Sequence, residues 1–83
     1  MITFSETAFA QYRDWAKEDT KILEKINTLI TEITRTPFKG TGKPEPLKGN
    51  WSGYWSRRIT QEHRLIYKVF PDQILIASCK NHY

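Results

Sequence analysis

Three side chains in the second half of the chain form a set that can do chemistry: Glu45, Arg64 and His82. Glu45 stands between Pro44 and Pro46. Proline fixes its own φ and restricts the residue before it, so this carboxylate rides on a stiff stretch. It can act as a general base, or it can be a surface glutamate in a proline-rich loop. Arg64 offers a planar fork of donors that matches phosphate oxygens. Its other reading is an ion pair with Glu62 or Glu45. His82, the penultimate residue, has an ordinary pKa of about 6.5 and can donate a proton near neutrality. It can serve only if the last strand pins it beside Arg64, because chain ends fray. Base, guanidinium and imidazole together suit RNA cleavage by transfer to the 2′-hydroxyl. The base takes the 2′-OH proton, arginine neutralises the charge that grows on the phosphorus oxygens, and histidine protonates the leaving 5′-oxygen. No metal or other cofactor is expected; two histidines do not make a zinc set. His63 falls on the core side and reads as structural.

These residues need elements to place them. Ile2 to Phe4 reads as a strand. Ser5 is a plausible N-cap for a helix over residues 6–17, with Ala8, Phe9, Tyr12, Trp15 and Ala16 at helical spacing. Asp19 or Thr20 caps a second helix of about four turns, whose stripe is Ile22, Ile26, Leu29, Ile30 and Ile33. Pro37 ends it near Thr34 to Thr36. The two helices form an antiparallel hairpin. Residues 37–53 hold three of the four prolines and all four glycines. They read as a long loop with a short strand near Leu47. Three strand-like runs follow, Tyr54–Thr60, His63–Phe70 and Ile74–Lys80, with turns at Gln61–Glu62 and Pro71–Asp72. The class is α+β: an N-terminal strand and a helical hairpin packed on one face of an antiparallel sheet.

Alternation along the strands assigns faces. A three-residue turn at 71–73 would pair Val69 with Leu75, Tyr67 with Ala77 and Leu65 with Cys79, collecting apolar residues under the helices. The other face then carries Arg64, Ile66, Lys68, Ile74, Ile76, Ser78, Lys80 and, if the strand runs to the end, His82. A tight turn pairing Ile59 with His63 adds Ser56 and Arg58. Ile66, Ile74 and Ile76 would leave an apolar strip, covered by the 37–53 loop or by a partner chain. Arg57 falls on the core side, at what reads as the sheet edge. Trp51, Tyr54 and Tyr83 can stack on splayed bases, whereas Trp55 reads as core. Lys43 and Lys48 can reach phosphates from the loop.

Charge supports a polyanionic partner. The 83 residues carry a formal net charge of +4. Residues 1–34 hold four basic and six acidic side chains, and residues 35–83 hold nine basic and three acidic. The front is mildly acidic and the back is basic. The lone Cys79 fits a reducing compartment. With no long apolar run and no signal-peptide pattern, the expected location is the cytoplasm, with no membrane contact.

Residues 35–69, RTPFKGTGKPEPLKGNWSGYWSRRITQEHRLIYKV, and the ending IASCKNHY closely resemble the YoeB family of toxins, within the RelE/ParE superfamily of bacterial toxin–antitoxin systems. The helical hairpin fits too, so residues 1–83 are expected to form one toxin domain. The resemblance implies a fold like microbial ribonucleases, with helices on one face and catalysis on the other. It implies a metal-independent endoribonuclease that cleaves mRNA in the ribosomal A site and inhibits translation. The products would be a 2′,3′-cyclic phosphate and a 5′-hydroxyl. Residue by residue, the family's general base falls on Glu45, its phosphate-stabilising arginine on Arg64 and its general acid on His82. Its C-terminal tyrosine falls on Tyr83, and further basic site residues fall on Lys48 and Arg58. The implied partners are the ribosome, mRNA and a YefM-type antitoxin, with operator DNA reached only through the antitoxin complex. A homodimer is compatible with the family and with the Ile66/Ile74/Ile76 strip. Two other readings stand beside this one: a ParE-like gyrase poison, which does not require the Glu45–Arg64–His82 set, and a ribosome-binding module that does not cut.

Overall fold

Ser5 ends the first strand, starts the first helix and ties both to the last strand. Its hydroxyl accepts from the Ala8 N–H at 3.0 Å and donates to the Ala77 carbonyl at 3.0 Å, and its own N–H donates to Ile76 O at 2.9 Å. The cap satisfies one of the helix's orphan donors. In the computed structural model, which describes residues 1–81, the order begins β1 (Ile2–Phe4), α1 (Glu6–Glu18) and α2 (Thr20–Arg35). It continues with β2 (Glu45–Pro46), a 3-10 turn at Gly49–Trp51, β3 (Trp55–Arg58), β4 (Arg64–Val69) and β5 (Ile74–Ser78). Asp19 alone separates the helices and caps α2, accepting from the Lys21 and Ile22 N–H groups. Thr36 closes α2 ahead of Pro37.

The strands order as β1-β5-β4-β3-β2 in one sheet. All neighbours are antiparallel except β1, which runs parallel to β5. The sheet is therefore mixed rather than purely antiparallel, because the helical hairpin carries the chain across the sheet between β1 and the meander. Under the helices lies a buried cluster of Ala8, Trp15, Ile26, Leu29, Ile33, Ile59, Leu65, Tyr67, Ile76 and Cys79. Phe9, placed on the α1 stripe by spacing, is half exposed, as a stripe-edge residue can be. It packs edge-on against Phe4 under the Arg13 guanidinium.

The β3–β4 ladder follows the expected register: Arg57 faces Leu65 and Arg58 faces Arg64. Ile59 N–H donates to His63 O at 3.0 Å, which closes the turn as read. The β4–β5 ladder differs. Phe70 N–H donates to Gln73 O at 2.8 Å, so Pro71–Asp72 is a two-residue turn. Val69 therefore pairs with Ile74 and Tyr67 with Ile76, not with Leu75 and Ala77. A register shift between Ile66 and Tyr67 then brings Ile66 opposite Ser78. The one-residue slip turns Ile76 into the helix-side core, with Ile74 packed against it. The apolar strip of Ile66, Ile74 and Ile76 does not form. Ile66 is buried without those two, outside the helix-side cluster, as is Leu47.

Residues 45–56 are more ordered than a loop. Glu45 pairs with Ser56 and Pro46 with Trp55, and Leu47 N–H donates to Tyr54 O at 2.9 Å. This is a hairpin closed by the 3-10 turn, and Pro46 is tolerated because β2 is the sheet edge. Trp55 packs against the core as expected, with Phe38 at 4.8 Å.

Candidate active site

The helix-free face of the sheet assembles around one cross-strand pair. Arg58 and Arg64 are direct partners on β3 and β4, so their Cβ atoms stand about 4.5–5.5 Å apart. Arg58 is exposed and Arg64 partly so. Arg64 is oriented by its own turn: Nη1 donates to the carbonyls of Thr60 at 2.9 Å, Gln61 at 3.0 Å and His63 at 3.2 Å. One arm of the fork is thereby anchored. Its Nε and Nη2 groups make no protein hydrogen bond among the described residues. Nor does Arg64 pair there with Glu62 or Glu45.

Glu45 sits on the edge strand, exposed, opposite Ser56. Opposed residues share a face, so its carboxylate lies on the side that carries Arg58 and Arg64. Two strand spacings and two residues separate Glu45 from Arg64, on the order of 10–12 Å between Cα positions. Two long side chains can reach across that gap to one phosphodiester. Arg58 N–H donates to Gly42 O at 2.7 Å, which brings the neighbouring Lys43 level with Arg58. Lys48, by contrast, lies at the hairpin tip, exposed, at the start of the 3-10 turn. The register does not bring it into the Arg58–Arg64 row.

Two of the remaining cations are otherwise engaged. Lys68 Nζ lies 5.2 Å from the Tyr54 ring centroid and 5.3 Å from that of Phe70. Lys80, read as part of the basic face, turns to the helices. Its Nζ is 3.1 Å from Glu18 Oε2 and 5.0 Å from the Trp15 ring centroid. The cause is the end of β5 at Ser78, beyond which strand alternation no longer applies.

The last strand thus does not run to the chain end. Yet the chain still returns to Arg64, whose N–H donates to Asn81 O at 3.0 Å. His82 and Tyr83 lie outside the described residues.

Arg57, unexplained by the sequence, proves to be a fully buried clasp. Nε donates to Tyr67 Oη, Nη2 to the carbonyls of Thr36 and Lys39, and Nη1 to Thr41 O and to Glu32 Oε1 at 2.6 Å. It is not at the edge, because β2 lies outside β3. Its fork fastens the start of the segment that leads to Glu45. Glu32 also accepts from the Thr41 N–H and hydroxyl. These bonds, chiefly those from Thr41 and then that from Arg57, hold its carboxyl below the usual range. The signal in the sequence was an arginine at core parity, which burial permits only when its donors are filled.

The fold is α+β, with its helices on one side of the sheet and its candidate chemistry on the other. The family model for the YoeB-like toxin of bacterial type II toxin-antitoxin systems matches residues 4–83. Toxin YoeB of Escherichia coli K12 is 55% identical over 82 residues, covering 99% of this chain and 98% of that protein. The YoeB/ParE toxin from Agrobacterium tumefaciens superposes with a TM-score of 0.96 at 45% identity, covering 99% of this chain and 98% of that one. The Staphylococcus aureus toxin, solved in a heterotetrameric YoeB-YefM complex, superposes at 0.93 with 51% identity, covering 100% and 97%. A YoeB dimer from Staphylococcus aureus superposes at 0.93 with 52% identity, covering 99% and 95%. The chain belongs to the YoeB family of type II toxin–antitoxin toxins.

Proposed function

We propose that this toxin is an mRNA endoribonuclease that works in the ribosomal A site and thereby stops translation. The observation that carries the proposal is the Arg58–Arg64 pair, flanked on the same face by Glu45 and reached by the chain end at Asn81. Two arginines side by side repel each other and cost stability unless a polyanion lies across them. In the proposed step Glu45 takes the 2′-OH proton and the 2′-oxygen attacks the adjacent phosphorus. Arg64, with Arg58, balances the charge on the non-bridging oxygens. The P–O5′ bond breaks as His82 donates a proton to O5′, leaving a 2′,3′-cyclic phosphate and a 5′-hydroxyl. Base, acid and charge neutraliser are all side chains, so the step as written uses no metal. Tyr83 and Lys48 would contact the nucleotides and backbone around the scissile phosphate. The ribosome supplies the substrate positioning that a chain of this size does not build for itself.

A YefM-type antitoxin is the natural partner, because the Staphylococcus aureus relative was solved with YefM. Self-association like that of the Staphylococcus aureus YoeB dimer is part of the same proposal. Operator DNA would be reached only through the antitoxin complex. We place the protein in the cytoplasm, where ribosomes and mRNA are.

The test incubates the protein with programmed ribosomes and, separately, with gyrase and supercoiled DNA. Cut mRNA and intact DNA are expected. Gyrase-dependent double-strand breaks with intact mRNA would move the protein to the poison class. Removing His82 and Tyr83 should abolish cleavage and leave the melting temperature unchanged.

A further inference from the structure

The segment after β5 is held to the body by a ladder of hydrogen bonds that catalysis as proposed does not use. Gln11 Oε1 accepts the Cys79 N–H at 2.7 Å, and the Trp15 indole N–H donates to Cys79 O at 2.8 Å. The last bonds fall on Asn81. Its N–H donates to His63 Nδ1 at 2.7 Å, and its carbonyl accepts from the Arg64 N–H at 3.0 Å. Asn81 has φ +61, a left-handed conformation that asparagine enters more readily than most residues. His63 and Arg64, consecutive where the turn enters β4, therefore hold the N–H and the carbonyl of the residue that immediately precedes His82.

His63 is built for this task. The residue is 9% exposed, and its ring packs edge-on against Trp15, with centroids 4.8 Å apart. Because Nδ1 accepts, the neutral ring carries its hydrogen on Nε2. Nε2 faces the Glu62 carboxylate at 3.7 Å. The His63 carbonyl accepts from the Arg64 guanidinium at 3.2 Å and from the Ile59 N–H at 3.0 Å. One residue thus touches the arginine that would meet the phosphate and the N–H of the residue before the proposed acid.

We propose that His63 is a positioning residue: through Nδ1 it fixes the Asn81 peptide and so sets where His82 departs relative to Arg64. This rests on the ribonuclease reading above. An ångström of misplacement at a reacting group costs on the order of 100-fold in rate. Asparagine at position 63 can offer Oδ1 near the place of Nδ1, whereas leucine fills similar volume and accepts nothing.

The test compares wild type, His63→Leu and His63→Asn in single-turnover cleavage on programmed ribosomes. Ribosome affinity, melting temperature and amide exchange at Asn81 are measured alongside. His63→Leu should cleave about 10–100-fold more slowly, with ribosome affinity unchanged and the Asn81 amide exchanging freely. His63→Asn should recover most of the rate and the protection. Wild-type cleavage with an equally active His63→Leu, or with a protected Asn81 amide in that variant, overturns the positioning role alone. So does a loss that His63→Asn fails to repair, or one matched by lost ribosome binding. Wild-type protein that leaves mRNA intact sinks the ribonuclease reading and the positioning role together.

Discussion

Arg58 and Arg64 face each other as direct partners across β3 and β4. Like charges at this separation are unfavourable in the unbound protein. Replacing Arg58 with threonine, a good strand former, should therefore stabilise the fold by about 0.2–1 kcal/mol. The same change should weaken ribosome binding and lower its salt slope by about one counterion. Thermal melting and a salt titration of affinity measure the two effects. Lower stability with unchanged affinity would make the pair a structural feature.

Glu32 and Arg57 set an acid-sensitive clasp on the segment before Glu45. The Glu32 carboxyl is depressed in the folded state, so its contribution is present above the ordinary carboxylate range. It is lost as pH falls through the lower folded value. Glu32→Gln should melt below wild type at pH 7, and the gap should close in acid. A gap that stays constant down to pH 2 would exclude the linkage.

Gly40 is part of the same clasp. Its φ is +120, and a Cβ there would run into the Glu32 carboxylate. Gly40→Ala should cost about 1–3 kcal/mol from the backbone alone, and more from the displaced carboxylate. Chemical denaturation reads this directly; a wild-type midpoint would show that the segment can re-route.

Cys79 is fully buried against the Ala8 carbonyl, and burial pushes its thiol up to about 12. Its stability contribution is complete below the ordinary thiol pKa and is lost as pH rises from there toward the folded value. An alkylating reagent at pH 8 should label the native protein only at the rate of unfolding, and the denatured chain at once. Rapid native labelling would mean that the Trp15–Cys79 region opens locally.

Much of this was legible because it is local. Ser5, Asp19 and Pro37 punctuate the helices through capping and ring geometry, which act within a few residues. The Gln61–Glu62 turn fixed β3 against β4, and with it the Arg58–Arg64 pair. The β4–β5 register was misread because Pro71–Asp72 closes as a two-residue turn and the shift beside Ile66 restores the phase farther along. Alternation is blind to both events. Lys80 was misplaced for the same reason: alternation stops at Ser78, and a Glu18 carboxylate lies within reach. Arg57 could not be resolved from sequence because its partners are backbone carbonyls of a segment whose path is set by tertiary contacts. The parallel pairing of β1 with β5 is likewise non-local.

The central claim is tested most directly by the ends of the cleaved mRNA, read on programmed ribosomes for wild type and Glu45→Gln. A side-chain base acting on the 2′-hydroxyl predicts a 2′,3′-cyclic phosphate and a 5′-hydroxyl. The Glu45→Gln rate should be lower by roughly 10²–10⁴-fold at unchanged ribosome affinity. A 5′-phosphate product, or a Glu45→Gln variant that cleaves at the wild-type rate, would contradict it.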